Sequence, residues 1–345
     1  MKYSIIIPVY NRPEEVEELL ESLINQNFND FEVIIVEDGS KITCKDVIDR
    51  YINRLNIQYF EKENGGPALA RNFGAEKAQG DWFIVLDSDV ELPTNYFDAI
   101  EEGLSRKSID AFGGPDRASD SFTNIQKAIS YSMTSFFTTG GIRGGKKTLD
   151  KFFPRSFNMG IRRNVWQKLG GFANMRFGED IDFSIRIFKE GYTATLFPKA
   201  WVYHKRRTDF RKFFRQVFNS GIARINLYKK YSDSLKFVHL LPALFTLGVL
   251  FLFVIFAIGI LLSIIGNKIA GNTFISVALL PIFFYSALIF IDSSYQNKNV
   301  KVGLLSVGAS FVQLMGYGMG FLQAFYKQII RKQGEFSAFN KTFYK

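Results

Sequence analysis

The chain has a single cysteine, Cys44, in 345 residues. That excludes an internal disulfide, and nothing in the cysteine usage points to an oxidising compartment. Acids are the scarcer charge: 33 Asp and Glu stand against 43 Lys and Arg, a net charge of +10. A surplus of this size argues for an anionic partner: nucleic acid, an anionic membrane surface or a phosphorylated substrate. There is no internal repeat and no low-complexity linker. The opening "MKYSIIIPVYNR" lacks the apolar core of a signal peptide, because the run is short and Pro8 and Asn11 interrupt it.

Charge itself is missing from three late stretches. Val238–Ile265 has none apart from His239, and Thr273–Ile291 and Val302–Tyr326 have none at all. Each has about the 20 residues that a helix needs to cross the hydrocarbon core of a bilayer. Residues 237–327 are therefore expected to form a transmembrane region of three spans, 238–265, 273–291 and 302–326. The last is the weakest, with Gln313, Gln323 and several glycines. Positive residues before the first run place the N-terminal domain in the cytoplasm, which makes this a multi-pass cell-membrane protein. The 328–345 tail is basic, and three spans would put it on the far side, against the same rule, so either one run is re-entrant or interfacial or the tail is an exception to it.

The N-terminal half alternates between strand and helix patterns. "YSIIIPVY" is a β-branched run and reads as a buried strand. "RPEEVEELLESLINQ" follows, with Pro13 near a helix start, acids in the first turn and Val16, Leu19, Leu20 and Leu23 on one face. "FEVIIVEDGS" reads as a second strand, Thr43–Arg54 as a helix and "NIQYFEK" as a third strand. "NGGPALARNFGAEKAQG" then reads as a helix closed by Gly80, and "DWFIVL" as a fourth strand. This order predicts an α/β fold with a parallel sheet and right-handed crossovers. Ligands of such sheets lie beyond the carboxyl ends of the strands. Polar groups stand there at Pro8–Arg12, Glu37-Asp38-Gly39 and Asp87-Ser88-Asp89. Two carboxylates two residues apart suit one hard divalent cation, Mg²⁺ or Mn²⁺, whose other ligands are phosphate oxygens. The competing reading of Asp87 and Asp89 is an ordinary strand-end turn.

Four segments together resemble the successive motifs of family 2 glycosyltransferases, in their order and at plausible spacings. They are "SIIIPVYNR", "VIIVEDGS", "NGGPALARNFGAEKAQGDWFIVLDSDV" and "FGEDIDFSIRIFKEG". The resemblance implies a GT-A domain, the Rossmann-like fold of nucleotide-diphospho-sugar transferases, over residues 1–203. It implies a hexosyltransferase-type reaction that moves a sugar from a nucleotide diphosphate donor with inversion. Pro8, Tyr10 and Arg12 match the loop that lines the nucleoside. Asp38 matches the acid that contacts the base or ribose, while Glu37 has no assigned role. Gly66, Pro67 and Arg71 match the segment beside the nucleotide and diphosphate. Asp87 and Asp89 match the Asp-x-Asp pair, whose second member usually touches the metal. Glu179 and Asp180 match the pair that supplies the general base, with Asp180 the expected base. His204 stands where a number of relatives have a His that completes the metal site. An imidazole joins two carboxylates around Mn²⁺ more readily than around Mg²⁺; the competing reading is a surface His at a strand end. Acids at 179 and 180 also suit the first turn of a helix, and Asp182 with Arg186 reads as an i,i+4 ion pair.

Nine Lys or Arg and one acid, Asp209, lie between residues 205 and 230. Phe210, Phe213, Phe214, Val217, Phe218, Ile222 and Ile225 recur there at helical spacing. Residues 204–236 are therefore expected to form a basic amphipathic segment lying on an anionic membrane. Nucleic acid is the poorer partner, because the aromatics form a helical stripe and not a stacking platform. The Gln-x-x-Arg-Trp motif of the family's polysaccharide synthases is missing, which argues against processive polymerisation. "FTNIQKAISYSMTSFF" has an apolar stripe that either docks on the membrane or packs on the core. The combined expectation is metal-assisted sugar transfer to a polyprenyl-linked saccharide or glycolipid in cell-envelope glycan biosynthesis. The alternatives are transfer to a bare polyprenyl phosphate and a non-catalytic sugar-nucleotide-binding assembly subunit.

Overall fold

The computed structural model describes the whole chain apart from residues 120, 141–151, 176 and 335–345. The tail residues Lys341 and Lys345 thus lie outside the described residues. The chain divides into two compact units, residues 1–120 with 146–205 and residues 121–145 with 206–345.

The first unit is built on β1 (Tyr3–Val9), α1 (Pro13–Ile24), β2 (Phe31–Asp38), α2 (Lys45–Tyr51), β3 (Ile57–Lys62), α3 (Pro67–Lys77) and β4 (Trp82–Leu86). These four strands pair in parallel, in the order β3-β2-β1-β4. Successive side chains of a strand point to opposite faces. Ile5, Ile7, Val33 and Ile35 accordingly pack with α1 and α2, while Ile6, Ile34 and Val36 pack with α3 on the other face. Both faces are covered, so the strands read as unbroken apolar runs. The chain continues through β5 (Val90–Glu91), α4 (Tyr96–Arg106), β6 (Ala111–Gly113) and β7 (Asp116–Arg117). It enters the second unit as α5 (Asn124–Thr134) and α6 (Phe136–Thr139), then returns as β8 (Asn158–Arg162), α7 (Arg163–Leu169), α8 (Glu179–Lys189), β9 (Ala194–Leu196) and β10 (Val202–His204).

The expected all-parallel sheet is in fact mixed. β8 runs antiparallel between β4 and β6. The chain leaves β6 at Gly113, level with the end of β4, and β8 re-enters from the same end, with Asn158 opposite Leu86. The complete order is β3-β2-β1-β4-β8-β6-β9, with β5, β10 and β7 in a second small sheet. Residues 121–140 group with the second unit. Ala128, Ile129 and Met133 of α5 are buried among Phe213, Val217, Val302 and Ala309, all residues of that unit.

The second unit contains α9 (Phe210–Lys230), α10 (Leu241–Ile264), α11 (Lys268–Asn297) and α12 (Val300–Ala324), which continues as a π-helical turn over Phe325–Ile330. Among the described residues, three segments are long and apolar enough to cross a membrane: Phe237–Ile264, Lys268–Asn297 and Val300–Ile330. The stripe on α9 is not left open for lipid. Phe213, Val217, Ile222 and Ile225 are buried inside the unit, since α12 offers them an apolar partner.

One polar side chain ties the sheet to the functional end. Asn158 is fully buried, accepts a hydrogen bond from Tyr96 OH at 2.7 Å and donates to the Ala200 carbonyl at 2.8 Å. It thereby anchors the turn that leads into β10 and His204. Asn158→Ala would strand two buried polar groups, each costing about 1–3 kcal/mol. A loss of roughly 2–6 kcal/mol in unfolding free energy is expected for the whole chain by denaturant titration. Unchanged stability would show that the turn is held by other contacts.

Candidate active site

Polar side chains from six segments meet beyond the carboxyl ends of β1, β2 and β4. The first contribution comes from β1. Its end turns through Asn11 at φ 53° and delivers Arg12 to the start of α1. Pro8 lies in the last part of the strand, and Tyr10 follows it. The Arg12 guanidinium pairs with Asp89 Oδ2.

At the end of β2 the two acids have different partners. Asp38 is buried and accepts from Gly65 N at 2.9 Å, Gly66 N at 2.7 Å and Lys62 Nζ at 2.7 Å. Its carboxylate thus shapes the glycine turn that precedes α3, where Gly66 sits at φ 90° and Pro67 opens the helix. Glu37 points to the other face. It accepts from Cys44 N at 2.9 Å, Cys44 Sγ at 3.0 Å and the Ser40 hydroxyl. Burial, and then the hydrogen bond to Glu37, push the Cys44 thiol far up from its ordinary pKa. The lone cysteine is therefore an inert packing residue.

The centre of the site is Arg71 on α3. It is 3% exposed. One nitrogen meets Asp87 Oδ1 at 2.6 Å and another meets Glu179 Oε1 at 3.1 Å. Asp180 is held separately, by Arg155 Nε at 2.6 Å. Both acids open α8, directly after Gly178 at φ 83°. Their environments push them apart. Burial and the neighbouring Asp180 charge raise the Glu179 carboxyl to about 7, against the pull of Arg71. Burial acts on Asp180 in the same direction, but the charge and hydrogen bond of Arg155 outweigh it and hold Asp180 below its ordinary value. Asp182 pairs with Arg186 at 2.9 Å on the same helix, a contact of the fold.

Strand register explains the position of His204. β10 pairs antiparallel with β5, His204 opposite Val90, which sets the imidazole beside Asp89. Nε2 lies 3.2 Å from Asp89 Oδ1 and 4.0 Å from Asp87 Oδ2. Asp87, Asp89 and His204 can each offer one ligand atom, and these atoms lie within 4.8 Å of one another. Phe157 stacks on the imidazole with ring centroids 5.0 Å apart. Nδ1 has Asp116 Oδ2 at 4.0 Å, beyond hydrogen-bonding distance. Among the described residues, five carboxylates stand in the pocket against three guanidinium groups. Two carboxylates and an imidazole are a donor set that fits a divalent cation, Mn²⁺ more readily than Mg²⁺.

Asp87, Asp89, His204, Arg12, Arg71, Glu179 and Asp180 are thus brought together. Asp38, Gly66 and Pro67 instead form the loop that starts α3. Sequence reasoning missed Arg155, Asp116 and Phe157. Arg155 stands two residues before "FNMG", with no motif to mark it, and only the folding of β8 beside β4 brings it to Asp180.

The sequence model of the family described as "Glycosyl transferase family 2" matches residues 4–170. An uncharacterized glycosyltransferase of Rickettsia bellii is 46% identical over 88 residues, which cover 26% of this chain and 13% of that protein. The poly(ribitol-phosphate) beta-N-acetylglucosaminyltransferase TarS of Staphylococcus aureus is 38% identical over 93 residues, 26% of this chain and 16% of its own. The chain therefore matches well under two thirds of either relative's length. Among solved structures, the mannosyltransferase PcManGT from Pyrobaculum calidifontis, in complex with GDP-Man and Mn2+, aligns with a TM-score of 0.53 at 17% identity, over 90% of this chain and 86% of that one. At that identity the likeness speaks for the fold alone. The α/β unit is thus similar to glycosyl transferase family 2 over residues 4–170, and its fold is of the GT-A type.

Proposed function

We propose that the chain transfers a sugar from a nucleotide diphosphate sugar to an acceptor held at a membrane, with inversion at the anomeric carbon. The observation that carries the reading is the meeting of Asp87, Asp89 and His204 with the Arg71–Glu179 pair and Asp180 at one end of the sheet. Pro8, Tyr10 and Arg12 line the nucleoside side, and Asp38 holds the Gly66-Pro67 turn against which the nucleotide rests. Arg12 and Arg71 supply fixed positive charge where the diphosphate arrives, and charge developing on a leaving diphosphate is stabilised by such preorganised groups. Asp87, Asp89 and His204 would hold a divalent cation, Mg²⁺ or Mn²⁺, whose chemistry is to neutralise the same leaving group.

Asp180 is the proposed base. The acceptor oxygen bonds to the anomeric carbon as the bond to the diphosphate breaks, and the acceptor proton passes to the Asp180 carboxylate. A carboxylate of low proton affinity serves here because the oxygen becomes acidic only as that bond forms, within reach of a positioned base. Glu179 then acts by fixing Arg71. A second reading has a specific observation behind it: the Glu179 carboxyl, raised to about 7, is matched to proton transfer near neutral pH.

The acceptor we propose is a polyprenyl-linked saccharide or glycolipid in cell-envelope glycan synthesis. Support comes from the three apolar helices and from the similarity to TarS, whose name gives a poly(ribitol-phosphate) acceptor. The lysines and arginines between residues 205 and 230 favour a cytoplasmic face for the α/β unit in a multi-pass cell-membrane protein. Transfer to a bare polyprenyl phosphate would use the same groups. A non-catalytic binding subunit would not hydrolyse or transfer the donor sugar.

Calorimetric titration with nucleoside diphosphates tests the cation. Mn²⁺ or Mg²⁺ is expected to tighten binding at least tenfold over chelator-treated protein, and Asp89→Asn to abolish that gain together with nearly all transfer. His204→Ala should weaken the Mn²⁺ effect more than the Mg²⁺ effect. Equal affinity with metal and with chelator would refute the metal reading.

The pH dependence of kcat/KM separates the two bases. A base works only when deprotonated, so activity rises with pH through its pKa. With Asp180, held low, the basic limb lies in the acid range and the profile is level around neutrality. Asp180→Asn then abolishes transfer while leaving donor binding intact. With Glu179, activity climbs through about pH 7, and Glu179→Gln removes both the limb and the turnover.

A further inference from the structure

The three long apolar helices have different surroundings. In the most apolar window of α10, 6% is buried within the protein; in α11 the share is 11%, and in the α12 segment it is 44%. Large side chains stand exposed on α10 and α11, among them Phe251, Phe253 and Val254 on the first and Val277, Phe283 and Phe284 on the second. No residue of α12 from 305 to 324 is exposed.

Much of the cover on α12 is α9, which runs beside it in the same direction. Phe210 lies at Gly308, Phe214 and Val217 at Gly316, and Phe218 at Gly320. Further along, Gln328 Nε2 donates to Asn226 Oδ1 at 2.6 Å. A Cβ on Gly221 would collide with the Tyr317 carbonyl, and one on Gly320 with the Phe218 carbonyl, so the two backbones touch. These contacts run from Gly308 to Gln328, and over that stretch the two helices share one depth in a bilayer, so α12 crosses only if α9 crosses with it. α9 has no crossing stretch. It carries Arg211, Lys212, Arg215, Arg224, Lys229 and Lys230, and its longest uncharged run is residues 216–223, against the roughly 20 residues that a span requires.

A second observation agrees. α10 and α11 form an antiparallel hairpin, with Gly259 against Gly271 near the turn and the Phe245 ring beside Tyr285 at the base. Contacts from α12 fall at that base. Gly303 lies against Phe290 and Ser294, Ser306 Oγ is 2.7 Å from Ser293 Oγ, Phe311 packs on Phe245 and Tyr285, and Gly318 lies against Pro242 and Thr246. The α5–α6 segment reaches the same end, through Tyr131 OH to Asp292 at 2.5 Å and the Phe137 carbonyl to Tyr285 OH at 3.2 Å.

We infer that the membrane anchor is a two-span hairpin of α10 and α11, and that α12 is not a third span but the apolar centre of a platform on the bilayer surface, formed with α9 and α5. The exposed Arg211, Lys212, Lys229 and Lys230 of α9 suit anionic lipid head groups. Both ends of the anchor then lie on one face of the membrane. Lys327, Arg331 and Lys332 stand on the same side as the basic residues of α9, as the bias of Lys and Arg toward one face demands. Three spans would divide them.

This inference rests on the membrane reading but not on the reaction, and cysteine labelling tests the two parts separately. Lys268, Lys301 and Gln333 are exposed, and the native Cys44 is buried. The full chain carrying Lys268→Cys, Lys301→Cys or Gln333→Cys is treated with a membrane-impermeant maleimide in right-side-out and inverted vesicles. Labelling of Lys268→Cys from the face opposite to Lys301→Cys establishes that the hairpin crosses. Labelling of Gln333→Cys from the same face as Lys301→Cys is the result expected for two spans. Labelling of Gln333→Cys together with Lys268→Cys would restore the third span and overturn the inference. Labelling of all three from one face would overturn the membrane anchor with it.

Discussion

A buried cation must be paired, and the candidate site is organised around one. Arg71 is almost out of contact with water, and an unpaired guanidinium there would cost several kcal/mol. Its partners are Asp87, at the end of β4, and Glu179, at the start of α8. Two carboxylates far apart in the chain are therefore fixed relative to one another by a single side chain. Breaking either pair would leave the other groups uncompensated, at a cost of about 3–5 kcal/mol. The second pair, Arg155 with Asp180, follows the same logic. Together they set two adjacent acids of one helix turn at different proton affinities, which suits the roles proposed for them.

Even with these pairs, the pocket holds more carboxylate than guanidinium among the described residues. Asp87 and Asp89 are in contact with arginines and still sit close together, with His204 between them and Asp116 behind. An anionic donor would be repelled by such a cluster unless further positive charge came with it. A divalent cation supplies that charge in the least volume. Phe157, stacked on the imidazole, limits the positions that the ring can take.

The helical unit obeys a different constraint, set by the cost of charge in hydrocarbon. Hydropathy treats each helix alone and finds three candidate spans. Packing ties α12 to a helix with six basic residues, and the pair can occupy only a depth that both tolerate. The glycines of α12 fit this role, since Gly316 and Gly320 let α9 approach to backbone contact, which lipid does not require.

Local order was legible in the chain itself. Unbroken β-branched runs mark strands covered on both faces, Pro13 and Pro67 open helices, and acids at the ends of β2 and β4 announce a polar strand mouth. These are properties of neighbouring residues, and neighbouring residues carry them. Asp87, Asp89, Glu179, Asp180 and His204 were also legible as candidates, because their motifs are local. Their partners were not. The strand register that sets His204 against Val90, the reversal of β8, the two arginines that split the Glu179–Asp180 pair and the turn of Asp38 toward Gly65 and Gly66 all join residues distant in sequence. The departure of residues 121–140 to the helical unit and the burial of the α9 stripe are of the same kind. An apolar stripe states only that it must be covered, whether by lipid or by protein. Only the tertiary structure decides which, because the choice depends on what surface another part of the chain brings within contact distance.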